Sequence, residues 1–366
     1  MLRRQAVVIF VITVGLAHLS GCNHPAKQAV RPIRSLLVAD PHRSSWRRLA
    51  LDAGTIDAAA WSPDGRYVVV ETSPASEVAS STAKDNEAQI TRADMIDTQS
   101  GTTITLPVEV HAPFAWMLDG GSFAACTRAP EGNENGITWF GLDGKRRRSV
   151  ELTQKLLGIE SIAAEGSSGE VAVVADEQVG DDASTGIYRS EKDGLKLIDE
   201  RPDIFGLSWT DQQTGGGPGL YWTTATVSGH SVHLELYKLS QGSKTVESEP
   251  LLDEKGLVYN DGPDYSLTVS EVVIAPTTER VSITLLSSKN VQAGDVTPNV
   301  RQACFVVETA EPALHLIMET ESNGGELTVS WSADASKLVV EEMLPTAPEM
   351  FVFNYDGANK RVIPKP

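Results

Sequence analysis

The side chains of this chain that could move protons, hold a metal or attack a carbonyl are its seven histidines, three cysteines and forty-nine carboxylates. Their spacing excludes most of that chemistry. There is no Gly-x-Ser-x-Gly elbow to present a nucleophile on a sharp turn. Neither His-Glu-x-x-His nor Cys-x-x-Cys occurs, so the usual zinc spacings are missing. Beyond the N-terminal stretch the histidines are His24, His42, His111, His230, His233 and His315. His230 and His233 stand at the start of an expected strand with an odd separation, which turns them to opposite faces and argues against a shared metal. The acid pairs Asp181-Asp182 and Glu341-Glu342 suit a chain this acidic. The first lies in a loop where calcium could bind, yet no alternating carboxylate loop surrounds it. The glycine-rich residues 211–219 lack the Gly-Lys-Ser/Thr ending of a phosphate cradle and read as a flexible turn. We therefore expect no catalytic set, no metal site and no cofactor.

Cys22 is set apart from the other two cysteines by what precedes it. Arg3 and Arg4 open the chain, an apolar run of residues 6–16 follows, and Leu19-Ser20-Gly21-Cys22 closes the segment with small residues. That order is a secretory leader, and the run is too short for a stable transmembrane helix. The Leu-Ser-Gly-Cys ending resembles a bacterial lipobox, which implies lipid on Cys22 and attachment to a membrane. Asn23 is not the Asp that resembles an inner-membrane retention signal, so the periplasmic face of the outer membrane is favoured. The expected organisation is a leader at 1–21, a lipidated tether at 22–34 and a single domain at 35–366. Cys126 and Cys304 fall in apolar strands of different repeats and are expected to be buried free thiols.

What must position any site is a repeat. Residues 56–70, IDAAAWSPDGRYVVV, read as a strand ending at Trp61, a tight turn through Pro63, Asp64 and Gly65, and a second strand. Proline presets φ, Asp bonds the turn backbone and Gly takes the positive φ. Trp116 and Trp331 stand in register in weaker copies, and Trp209 anchors a third. With Glu165 and Ile274 filling the same position, the steps are 55, 49, 44, 65 and 57 residues. Each copy is followed by a second hairpin, such as the one turning at Asp143-Gly144 and the one at Asp356-Gly357. Two hairpins make four antiparallel strands, and a period of this size built from short strands marks an all-β propeller. Six blades are favoured. The extra hairpin at 35–51 keeps seven open, because it could pack on an edge, complete a closing blade or be half of another. The shared register of Trp61, Trp116, Trp209 and Trp331 assigns them to packing between blades rather than to sugar stacking.

Trp61 to Arg66, Trp-Ser-Pro-Asp-Gly-Arg, matches in full the WD40-like (PD40) repeat of TolB-type β-propellers, and Trp331 to Lys337 match it in part. The resemblance spans residues 50–364 or so. It implies a propeller in an envelope setting, and a motif this short says little about activity. The separate N-terminal domain of TolB has no counterpart.

Charge narrows the partners. The formal charge is −18, and loss of Arg3 and Arg4 takes it to −20 (−18 − 2), which argues against nucleic acid and for a soluble exported domain. Longer inserts interrupt the repeat at 73–90, 211–219, 240–265 and 287–302, where function on a repeat scaffold usually sits. Lys145-Arg146-Arg147-Arg148 is a solvated face or a local docking patch. The expectation is a lipid-anchored, non-catalytic scaffold holding an envelope protein or peptide. The alternative is a propeller lyase or hydrolase acting on a glycan or polyuronate, which requires carboxylates or histidines gathered at matching strand ends.

Overall fold

The computed structural model describes residues 55–73, 91–128, 134–152, 156–164, 169–179, 182–191, 194–210, 217–252, 256–259, 265–289, 300–309, 313–321, 327–331, 335–342 and 349–363, with backbone alone at 35–40 and 45–50. Cys22, Glu165, Asp181 and the insert at 74–90 lie outside the described residues.

The second strand of each repeat explains the architecture. Val68, Val69 and Val70 are all fully buried, as are Phe123 to Cys126 and, in the fifth repeat, Val281, Ile283 and Leu285. A strand covered on both faces needs a near-continuous apolar run, whereas the fourth strand, such as Arg146–Glu151, is mostly exposed and mostly polar. The result is a β-propeller fold of six antiparallel blades, each made of four strands consecutive in sequence. The blades run from Thr55–Trp61 to Thr103–Thr105, Val110–Trp116 to Arg146–Glu151, Leu156–Ala164 to Gly194–Glu200, Ile204–Thr210 to Val246–Pro250, Tyr265–Ile274 to Leu314–Glu321, and Leu327–Trp331 to Arg361–Ile363. The fourth blade adds a short strand, Leu257–Val258, paired to its third. Among the described residues there is no helix.

The chain divides into two compact units. One holds the first and second blades, within Val7–Thr153; the other holds the third to sixth, within Gln154–Glu191 and Leu195–Pro366. The early hairpin pairs Ser35–Asp40 with Ser45–Ala50 as a separate two-stranded sheet. It is hydrogen-bonded to none of the blades, so among the described residues it neither closes one nor begins a seventh.

The turn of the first blade follows its sequence. Ser62 Oγ donates to Asp64 at 2.6 Å, Arg66 N donates to the same carboxylate at 3.1 Å, and Gly65 takes φ +70°. Pro63 occupies the exposed side of that turn. The repeat tryptophans sit against neighbouring blades where the pairs can be traced. Trp116 lies between Tyr67 and Phe123 at ring separations of 6.2 and 5.1 Å, and its indole N–H donates to Ala60 O at 3.0 Å. Trp331 donates to Ser282 Oγ at 3.1 Å. Trp209 is buried beside the Arg189 guanidinium, and Trp61, half-buried, packs on Val68, Val70 and Ile96. In the third blade the repeat position is one residue earlier than expected. Ala164 pairs with Val171 as Trp61 pairs with Val68, six residues separating the partners in each case. Cys126 and Cys304 are fully buried and neither is in a disulfide.

Candidate functional site

A β-bulge recurs in the first strand of five blades and decides what the acids and histidines do. The extra residue is Asp57, Ala112 with Pro113, Glu160, Gly206 and Ser270, each four residues before the last paired position of its strand. A bulge leaves backbone groups unpaired and re-aims side chains. In the unit of the first two blades, Glu71 repairs this. Its Oε2 accepts the Ala112 N–H at 2.9 Å, and its Oε1 lies 2.8 Å from His111 Nδ1, which also meets Thr91 Oγ1 at 3.0 Å. In the other unit, Glu271 accepts Val329 N at 3.0 Å and Gln302 accepts Leu327 N at 2.6 Å. These are carboxylates and amides from one blade holding the backbone of the next.

Two further carboxylates and a second histidine are also engaged. Asp176 accepts Thr185 Oγ1 at 2.6 Å and Glu177 accepts the Tyr188 phenol at 2.8 Å. Burial first and then that carboxylate push the Tyr188 phenol far up. His315 Nε2 lies 3.0 Å from Glu308. His230 lies in the turn before Ser231–Ser240 rather than on that strand, so only His233 belongs to it. Among the described residues no three His, Cys, Asp or Glu side chains gather into a metal site. Glu160 differs: it stands exposed in the bulge, its carboxyl raised first by desolvation and then by the neighbouring Asp176 carboxylate. The basic run is absorbed locally, Arg146 pairing with Glu109, Arg147 with Asp143 at 2.9 Å, and Arg148 lying over Trp139.

The candidate site is instead a groove of about 610 Å³ between the fourth and fifth blades, inside the second unit. One wall is the fourth blade: Tyr221, Leu236 and Lys238 from its second and third strands, and Glu247, Ser248 and Glu249 from its edge strand Val246–Pro250. Cross-strand register sets Lys238 opposite Glu247 and Leu236 opposite Glu249. The facing wall is two turns of the fifth blade, Thr278 to Arg280 and Glu308-Thr309. Those turns are fastened together by Thr309 Oγ1 to Thr278 O at 3.2 Å and Thr309 N to Glu279 O at 2.9 Å. Arg280 lies over the Tyr355 ring at 3.7 Å, donates to Ala335 O at 3.2 Å and meets Glu308 only at 3.9 Å. Its Nε–H is buried with no acceptor among the described residues. Tyr221 donates to Gly217 O at 2.6 Å, and burial pushes its phenol up.

Sequence reading placed the insert 240–265 among the excursions that carry function but assigned no strand there. The wall strand Val246–Pro250 was missed because one apolar residue, Val246, precedes Glu-Ser-Glu-Pro, leaving no alternating apolar face to detect. The one available signal was the Gln241-Gly242 turn, after which a paired strand is due.

No family model matches the chain, and no curated protein matches its sequence. Solved structures do. An oligogalacturonate lyase in complex with manganese superposes with a TM-score of 0.56 at 7% identity, covering 90% of this chain and 84% of that one. The β-propeller domain of the Trilobed protease from Pyrococcus furiosus, described as having an open velcro topology, gives 0.54 at 12% identity over 90% of each chain. TolB from Acinetobacter baumannii gives 0.43 at 13% identity, over 75% of this chain and 60% of that chain, too low a TM-score to bear weight. At these identities the likeness establishes the class, a β-propeller, and concerns fold alone.

Proposed function

We propose that the protein is a lipid-anchored β-propeller of the bacterial cell envelope, acting as a non-catalytic scaffold that holds a protein or peptide. The observation that carries this reading is the groove between the fourth and fifth blades, an open, mixed-charge surface on a fold in which His111, Glu71 and Glu271 are committed to structural bonds. The anchor is lipid on Cys22, the tether runs through 22–34, and the outer membrane's periplasmic face is the setting; the leader pattern in the sequence supports all three. The test is cross-linking in the cell, followed by recovery from detergent-solubilised membranes, with a Cys22→Ala form alongside. Recovery of one defined envelope protein by the anchored form alone supports the reading. Failure of both forms to recover any specific protein counts against it.

A second reading, an enzyme acting on a glycan or polyuronate, draws on one observation. Glu160 is an exposed carboxyl with a raised pKa beside a second carboxylate, which suits a general acid. Loss of turnover in Glu160→Gln, on any uronate oligomer the wild type cleaves, would favour it.

A further inference from the structure

The groove's chemistry narrows its occupant. Four carboxylates, Glu247, Glu249, Glu279 and Glu308, face two cations, Lys238 and Arg280, so its lining is net negative. Charged residues on an edge strand have a plain structural use, since they and a proline discourage pairing with another chain, and Pro250 ends this strand. That use explains Glu247 and Glu249. It does not explain Glu279, which comes from a turn of the next blade and faces the same space, nor why space of this size remains between two packed sheets. The side chains of Glu249 and Glu279 make no hydrogen bond or ion pair among the described residues, whereas Glu308 is held by His315 and, at long range, by Arg280. Two uncompensated carboxylates on opposite walls repel one another and would both gain from a cation between them. Arg280 supplies the complementary need. A guanidinium carries five N–H donors, and here its described acceptors are one carbonyl and one distant carboxylate, while the Tyr355 ring packs against it.

Resting on the scaffold reading, we propose that this groove binds an extended peptide segment with basic side chains, their cations between Glu249 and Glu279 and the backbone carbonyls toward Arg280. The fixed turns of the fifth blade make one wall preformed, so binding needs little ordering of the protein. The hydrogen-bonded edge strand makes the other, and its alternation presents Glu247 and Glu249 on one face, matching side chains two apart along an extended peptide.

The probe is the peptide Ser-Lys-Ser-Lys-Ser, titrated by calorimetry into the full chain, against the same peptide with both lysines acetylated. We expect saturable binding that is lost on acetylation, weakens with salt, and falls about tenfold in Glu249→Gln/Glu279→Gln, the size expected for two partly exposed ion pairs. Glu249→Arg should abolish it. Both carboxylates are unpaired, so the variants should keep the wild-type melting temperature; if the double variant does not, the single Glu249→Arg change decides. Absence of saturable binding, equal binding of the acetylated peptide, or unchanged affinity in the variants would each overturn the proposal. The scaffold reading fails separately: an envelope partner cross-linked equally well by wild type and double variant leaves the scaffold standing and removes the groove from its contact surface.

Discussion

Glu71→Ala tests whether the bulge-bracing carboxylates hold the blades together. Glu71 is 7% exposed and serves two partners on the next blade, Ala112 N at 2.9 Å and His111 Nδ1 at 2.8 Å. Hydrogen bonds to a charged group contribute about 1.5–3 kcal/mol each, and a buried donor left unpaired costs about 1–3 kcal/mol. Thr91 stays within 3.0 Å of His111 Nδ1, so the imidazole keeps one partner and the cost falls mainly on Ala112. The expected loss is about 2–4 kcal/mol. Glu71→Gln keeps an acceptor for Ala112 and gives up the charge, so it should lose about half as much. Urea unfolding followed by tryptophan fluorescence reads both as a lower midpoint at constant slope. Amide exchange adds a local check, because the Ala112 N–H should lose protection in the Ala variant before the rest of its strand does. If Glu71→Ala stays within about 0.5 kcal/mol of wild type, or the Gln variant is as damaged as the Ala variant, the bracing argument is wrong.

Gly206 takes φ +51°, and a Cβ there would stand 2.8 Å from Val272 O on the next blade, so Gly206→Ala should lower stability by about 2 kcal/mol or more, read as a drop in melting temperature. Trp116→Phe removes the donor to Ala60 O and part of a packed ring, and about 1–3 kcal/mol should go with it in the same urea assay. Burial, and then the Asp176 carboxylate, raise the Glu160 carboxyl above 4.5, so the folded protein holds that proton more tightly than the unfolded chain does. Stability from this site is then full below the unfolded value and falls as pH climbs through the folded one, so Glu160→Gln should stabilise the protein near neutral pH and be neutral at about pH 4. Burial pushes the Cys304 thiol up, and with Cys126 it is fully enclosed, so a Cys22→Ala protein should show no thiol reactive to Ellman's reagent when folded and two when unfolded.

The fold was legible where two-faced burial or tight turns constrain residue type. Val68 to Val70 had to be apolar because both sides are covered, and Ser62 to Gly65 had to be turn formers because the chain reverses there. The copies that had lost their tryptophan were harder to read, which is why the register slipped by one residue at Ala164, whose place is fixed by pairing to Val171 and not by its type. The early hairpin was visible as two strands, but its relation to the blades was not, since strand pairing across a long separation leaves no local mark.

The bulges show why the functional part resisted reading. Their spacing from the strand end is constant, yet the residues that occupy them are Asp, Ala-Pro, Glu, Gly and Ser, and no residue type announces the position. The partner that satisfies the N–H freed at Ala112 is Glu71 of the neighbouring blade, 41 residues earlier, and Glu271 reaches across to Val329 in the same way although no bulge interrupts that strand. A carboxylate that braces the scaffold and one left open for a ligand are the same letter in the sequence. Only the three-dimensional count of side-chain partners separates Glu71, with two, from Glu249, with none among the described residues, and it is that count which points to the groove.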